Sequence, residues 1–146
     1  MKNVLVIHGP NLNFLGERDP AFYGNVTFDK LNEMILERAE ALGLHCEIFQ
    51  SNHEGAIIDK LQAARKTMDG VVINAGAYTH YSYAIHDAIK GVSIPTVEVH
   101  ISNVHTREDF RRVSVTAPAC IGQMCGFGEF GYVLAIEALE NYVKNN

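Results

Sequence analysis

Short apolar runs alternate with helix-like patterns from one end of the chain to the other, and that alternation leaves few folds open. Runs at about Asn3–Ile7, His45–Gln50, Val71–Asn74 and Thr96–His100 read as strands, and a fifth falls within Ala119–Cys125. Between them lie helical stretches. Thr27 can cap one whose buried stripe is Leu31, Ile35, Arg38/Ala39 and Leu42, with Gly43 stopping it. Ala56–Lys66 carries Ile57, Leu61 and Ala64. Tyr83–Lys90 ends at Gly91, and Glu129–Lys144 sets Tyr132, Ile136, Leu139 and Val143 on one face. Thr106–Arg107–Glu108–Asp109 loosely matches a capping box and opens a short helix. Strands this apolar need cover on both faces, which implies parallel pairing. Five such units predict a flavodoxin-like α/β fold: a doubly wound five-stranded parallel sheet with helices on both faces. With 146 residues the chain fits a single domain, 1–146.

In such sheets ligands bind beyond the carboxyl ends of the strands. That rule sorts the polar residues. Pro10 and Asn11 follow the first strand, Asn74 ends the third with His80 in the loop after it, and Glu98 and His100 end the fourth. Strand side chains alternate faces, so Glu98 and His100 share one while Val97 and Val99 share the other. A carboxylate beside an imidazole can fix its tautomer and orientation. The functional reading is an oriented acid–base histidine; the bland one is a structural pair at a strand end.

Charge narrows the partner. The formal net charge of −5 argues against a general nucleic-acid binder. Yet Arg107, Arg111 and Arg112 cluster, and Arg18 sits in the first loop, so a locally basic site suits a small anion. The amino-terminal apolar run is too short for a secretory core or a membrane span. Cys46, Cys120 and Cys125 are odd in number and lack zinc spacing, which fits reduced thiols in a cytoplasmic protein. His80 and His86 are six apart, not the i,i+4 spacing of a helical metal pair, and no carboxylate cluster completes a site, so no metal is expected. Gly126–Gly131 matches G-x-G-x-x-G, but no strand with an acidic residue follows it, and close backbone packing explains it better. No lysine falls at a strand's carboxyl end, which argues against a Schiff base.

The segment His8–Gly24, HGPNLNFLGERDPAFYG, is long for a loop in a compact domain. It holds Arg18 and Tyr23. A phenol is a poor base at neutral pH, but a nearby guanidinium favours its ionised form. The bland alternative is an exposed aromatic beside a solvated arginine.

HGPNLNFLGERDPAFYG, NAGAYTHYSYAIHDAI and VEVHISNVHTREDFRR, in this order and spacing, resemble type II 3-dehydroquinate dehydratase. The similarity runs nearly end to end. It implies trans-dehydration of 3-dehydroquinate to 3-dehydroshikimate through an enolate, without metal or organic cofactor, a step used in the shikimate pathway and in quinate breakdown. By matching position, Tyr23 is the base and Arg18 helps ionise it. Asn11 positions a water near the enolate. His100, held by Glu98, is the acid for the departing hydroxyl. The resemblance further implies that Asn74, His80 and Arg111 bind substrate hydroxyls, the backbone of Ile101 and Ser102 holds the carboxylate, and Arg107 belongs to a closing segment. Asp87 is expected to reach a neighbouring subunit's site, in a homo-oligomer that the resemblance makes a dodecamer built from trimers. Phe14, Tyr81, Tyr83 and His86 depart from the usual pattern and put pocket-edge contacts in question. The rival reading is a flavodoxin-like module that binds a small anion, or regulates, without catalysis. Exposure to 3-dehydroquinate separates the two.

Overall fold

The computed structural model describes residues 2–17, 20–23 and 25–146, with Pro20 and Tyr23 by their backbone alone. Five strands, β1 (Lys2–His8), β2 (Leu44–Gln50), β3 (Gly70–Asn74), β4 (Thr96–His100) and β5 (Gly122–Cys125), form one sheet in the order β2-β1-β3-β4-β5. Every pairing is parallel. This is the flavodoxin-like strand order, and it places a topological switch between β1 and β3, whose first crossovers leave in opposite directions along the sheet.

The helices are α1 (Pro20–Tyr23), α2 (Phe28–Ala41), α3 (Glu54–Ala64), α4 (Tyr83–Val92) and α5 (Phe130–Asn145). Strand alternation divides the core in two. Val4, Val6, Val72, Val97 and Val99 pack with Leu31 and Ile35 of α2 and Tyr132, Ile136 and Leu139 of α5. Leu5, Ile7, Val71 and Ile73 pack with Ile57 and Leu61 of α3 and Ile85 and Ile89 of α4. Central strands with both faces covered must be apolar throughout, which is why β1 and β3 read as continuous hydrophobic runs.

The expected elements are present, with local differences, among them α1, which forms inside the segment read as a loop. The Thr27 side chain does accept a hydrogen bond from the Lys30 amide, 3.1 Å away, and starts α2 as expected. α4, however, continues through Gly91 to Val92, and Ser93 takes the left-handed position with φ 57°. Val92 and Ile94 are both buried, so the extra residues add apolar burial. The capping box at 106–109 does not form: Asn103 caps a 3-10 turn at Val104–Thr106, and a second turn, Asp109–Arg112, starts at Glu108 without a side-chain cap. α3 begins at Glu54, two residues before Ala56.

Two close approaches position the site. A Cβ on Gly9 would lie 2.6 Å from the carbonyl carbon of Ala75, so only glycine lets the chain leaving β1 run against the chain leaving β3. In the glycine-rich stretch read as structural from sequence, a Cβ on Gly131 would meet Val99 at 3.3 Å and one on Gly126 would meet Asn103 at 3.2 Å, whereas Gly128 has open space and a φ of 61°.

Candidate active site

The carboxyl ends of β1, β3 and β4 converge on a cavity of about 130 Å³. Asn11, Asn74, His80, His100, Ile101, Ser102, Arg107 and Arg111 all line it. Eight residues that the sequence reading assigned to one site are therefore together, drawn from four separate stretches of chain. Apolar contact comes from Leu12 and Val104.

Glu98 and His100 do share a face of β4. His100 Nε2 lies 2.9 Å from Glu98 Oε2. Glu98 is fully buried, and it is not satisfied by the imidazole alone. Ser114 Oγ and Gln123 Nε2 each donate to Oε2 at 2.9 Å, and the Thr116 hydroxyl donates to Oε1. The parallel register sets Gln123 of β5 beside Glu98. Thr116 is bonded in turn to Thr79, which ties the strap at 113–116 to the turn after β3. Burial by itself would raise the carboxyl's pKa. Hydrogen bonding to His100 and the imidazolium's charge, with the bonds from Thr116 and Gln123, outweigh it and bring Glu98 down to about 2. The carboxylate is thus ionised across the working range, and it holds the Nε2–H of His100. Nδ1 is left as the ring atom free for other chemistry.

His80 closes the 3-10 turn Gly76–His80. Its Nδ1–H donates to the Val113 carbonyl at 2.7 Å. Its ring lies nearly parallel to that of His100, centroids 6.4 Å apart, and Phe110 meets it edge-on. Desolvation lowers the His80 pKa, the Val113 carbonyl opposes this, and the charges of His100 and Arg111 lower it again. A neutral ring with Nδ1–H engaged presents Nε2 as an acceptor for a hydroxyl. Arg111 bonds Glu108 at 3.2 Å and lies over Phe110. Arg107 donates to Ser102 Oγ at 3.3 Å and lies over the Phe22 ring at 4.4 Å, so it joins the rim after β4 to α1. Asn11 sits in the left-handed region, φ 70°, and its backbone N–H donates to Asn52 Oδ1 at 3.0 Å. An asparagine is among the few non-glycine residues that adopt this conformation readily.

Two expected groups lie outside the described residues: Arg18 altogether, and Tyr23 beyond its backbone at the end of α1. Asp87 does not line the cavity. It is exposed on α4 in a separate groove with Ile58, Gln62, Arg65, Ala84 and Ala88. Phe14, Tyr81, Tyr83 and His86 do not line the cavity either; the two tyrosines and Phe14 face outward, and His86 Nδ1 bonds the Val115 carbonyl. Among the described residues no group of three His, Cys, Asp or Glu side chains is arranged for a metal.

Sequence reasoning missed the supporting polar groups. Ser114, Thr116 and Gln123 carried no motif, and their role appears only when β5 and the strap fold against β4. It also missed His8. This imidazole is fully buried, with Nδ1 3.1 Å from the Tyr132 hydroxyl and Nε2 2.9 Å from Asn32 Oδ1. Burial lowers its pKa from 6.5 to about 4, against the opposing bond from Asn32. In the unfolded chain the ring takes up a proton below about 6.5, in the folded protein only below about 4. Stability that depends on neutral His8 is complete above the first value and lost on the way down to the second. The difference is worth on the order of 3 kcal/mol. Urea midpoints measured between pH 7 and pH 4 are expected to fall through that window, and less steeply in His8→Asn. Equal slopes in the two proteins would contradict the assignment.

The comparisons with known proteins agree with this geometry. The dehydroquinase class II family model matches residues 2–140. A 3-dehydroquinate dehydratase of Clostridium acetobutylicum is 61% identical over 141 residues, covering 97% of this chain and 98% of the relative. One from Clostridium beijerinckii is 63% identical over 138 residues, covering 94% of each. The crystal structure of the type II dehydroquinase from Butyrivibrio crossotus superimposes with a TM-score of 0.93 at 55% identity, over 96% of this chain and 97% of that one. Similarity of this depth, across nearly the full length of each partner and over the strand ends that build the cavity, means that the chain belongs to the class II dehydroquinase family.

Proposed function

We propose that this dehydratase, an enzyme of the hydro-lyase class, converts 3-dehydroquinate to 3-dehydroshikimate in the shikimate pathway through an enolate, with Tyr23 as base and His100 as acid. The observation that supports this best is the buried, fully satisfied Glu98 holding His100 at the floor of a cavity rimmed by Arg107 and Arg111. A carbon acid beside a ketone needs a positioned base and a stabilised enolate, and the hydroxyl that leaves needs a proton. Tyr23, ionised with the help of Arg18, takes the proton. Asn11 positions a water at the developing enolate oxygen. His100 gives its Nδ1 proton to the departing hydroxyl and keeps Nε2–H on Glu98. Asn74, the His80 Nε2 acceptor and Arg111 bind the substrate's hydroxyls, and the backbone at Ile101 and Ser102 holds its carboxylate. Arg107, stacked on Phe22, draws the cover over the bound anion and excludes water.

No step calls for a metal or an organic cofactor. Incubation with 3-dehydroquinate is expected to raise the near-ultraviolet absorbance of the conjugated product equally with and without chelator. No absorbance change would return the site to a simple anion-binding role. Loss of turnover in chelator, restored by metal, would overturn the residue assignments.

Asp87 acts in a neighbouring subunit's site, within a dodecamer built from trimers. In support, it is exposed and sits with Ile58, Ala84 and Ala88 in a groove between α3 and α4 that a second copy could cover. Light scattering at assay concentration is expected to give the oligomer. A fully active monomer would remove both the assembly and the role of Asp87.

A further inference from the structure

Beneath the cavity, on the α2/α5 face of the sheet, lies a chain of buried and half-buried polar groups, of which only the last, Asn74, enters the proposed chemistry. It runs from Asn32 on α2 through His8 at the end of β1 and Tyr132 on α5 to Asn74 at the end of β3. His8 and Asn74 are register neighbours across β1 and β3. One set of directions satisfies every bond in it. The Gly76 amide can only donate, so the Asn74 atom 3.1 Å from it is the acceptor Oδ1. Asn74 Nδ2 therefore faces the Tyr132 hydroxyl, 3.0 Å away, which must accept. The phenol's own proton then goes to His8 Nδ1, 3.1 Å away. A neutral His8 carries its proton on Nε2 and donates it to Asn32 Oδ1, 2.9 Å away. Tyr132 and His8 are both fully buried, and Phe28 closes the imidazole edge-on with ring centroids 4.9 Å apart.

We propose that Tyr132 and His8 are positioning residues for Asn74: the directed chain holds the Asn74 amide in one of its two flips and so decides which end, N–H or carbonyl, a hydroxyl in the cavity meets. The inference rests on the reading of Asn74 as a substrate-binding residue. Burial supports it. It keeps His8 neutral and pushes the Tyr132 phenol up, so neither group charges near neutral pH and the polarity of the chain does not reverse. Without Tyr132 the Asn74 amide keeps only the Gly76 bond to set its flip, so it turns over more readily and offers the wrong partner, and a buried donor left unpaired is costly.

The test compares Tyr132→Phe, Asn74→Ala and the double variant in the complete oligomer, with 3-dehydroquinate as substrate. Tyr132→Phe removes one oxygen and keeps the ring that fills the core. It is expected to raise KM about tenfold while kcat changes by less than about threefold. In the Asn74→Ala background the same change should add nothing, because its effect passes through the amide. A normal KM in Tyr132→Phe beside an impaired Asn74→Ala, or full additivity in the double variant, would overturn the inference alone. An unaffected Asn74→Ala would take down the reading of Asn74 and the inference with it. A second measurement stands even if a variant folds poorly. Nitrogen-15 spectra of the wild-type imidazoles are expected to give His8 as the Nε2–H tautomer, with Nδ1 bare. The opposite tautomer would reverse the chain and refute the proposal.

Discussion

Tyr23→Phe is expected to abolish nearly all turnover while substrate still binds and the fold survives. A positioned general base contributes about 10²–10⁴-fold, and loss of the sole proton acceptor exceeds the lower end of that range. The residue ends the four-residue α1, and the substitution removes one oxygen while keeping the ring. Arg18→Ala should impair the same step, because its proposed role is to favour the phenolate by charge. The two effects should fall short of additive in the double variant, as for groups that act as a unit. Turnover near normal in Tyr23→Phe would move the base elsewhere. His80 would then be the next candidate, since its Nε2 is unprotonated when Nδ1–H is engaged by Val113.

His100→Ala should lower turnover by about 10²–10⁴-fold as well, but at a different step. With the acid gone and Tyr23 in place, proton abstraction continues while the hydroxyl cannot leave. Exchange of the substrate's alpha proton with deuterated solvent, followed by NMR, should therefore persist when product formation has nearly stopped. Loss of both together would place His100 on the first step and refute the division of roles. Glu98→Gln separates orientation from acid chemistry. It keeps His100 but sets an amide among four donors, from His100, Ser114, Thr116 and Gln123. The amide nitrogen then faces a former donor, which must turn to accept, as the Thr116 hydroxyl can, or stay unpaired at a cost of about 1–3 kcal/mol in stability. The ring also loses its fixed orientation, so turnover should drop toward that of His100→Ala.

Much of this was legible along the chain because it is governed by local periods. The apolar runs of β1 and β3 can be read as doubly covered strands without knowing what covers them. Strand and helix in strict alternation restrict the topology to a parallel, doubly wound sheet, and the observed order follows it. The placement of Glu98 and His100 on one face is a consequence of the two-residue strand repeat, and Asn74 and His100 fall at strand ends where ligands collect. Helix termini were less legible. α4 runs past Gly91 because burying Val92 outweighs the preference for stopping at glycine, and the cap at 106–109 gives way to two 3-10 turns.

What sequence alone determined, then, is the class of fold, the strands that carry the site and the identity of the side chains at their ends. Tertiary structure decided what holds those side chains still. Besides His100, Glu98 draws its donors from residues 16 to 25 positions away, and His8 meets a phenol 124 positions away. No local repeat encodes such pairs. They arise because a folded interior must satisfy every buried polar group, and partners are supplied by whichever elements the sheet order and helix packing bring alongside.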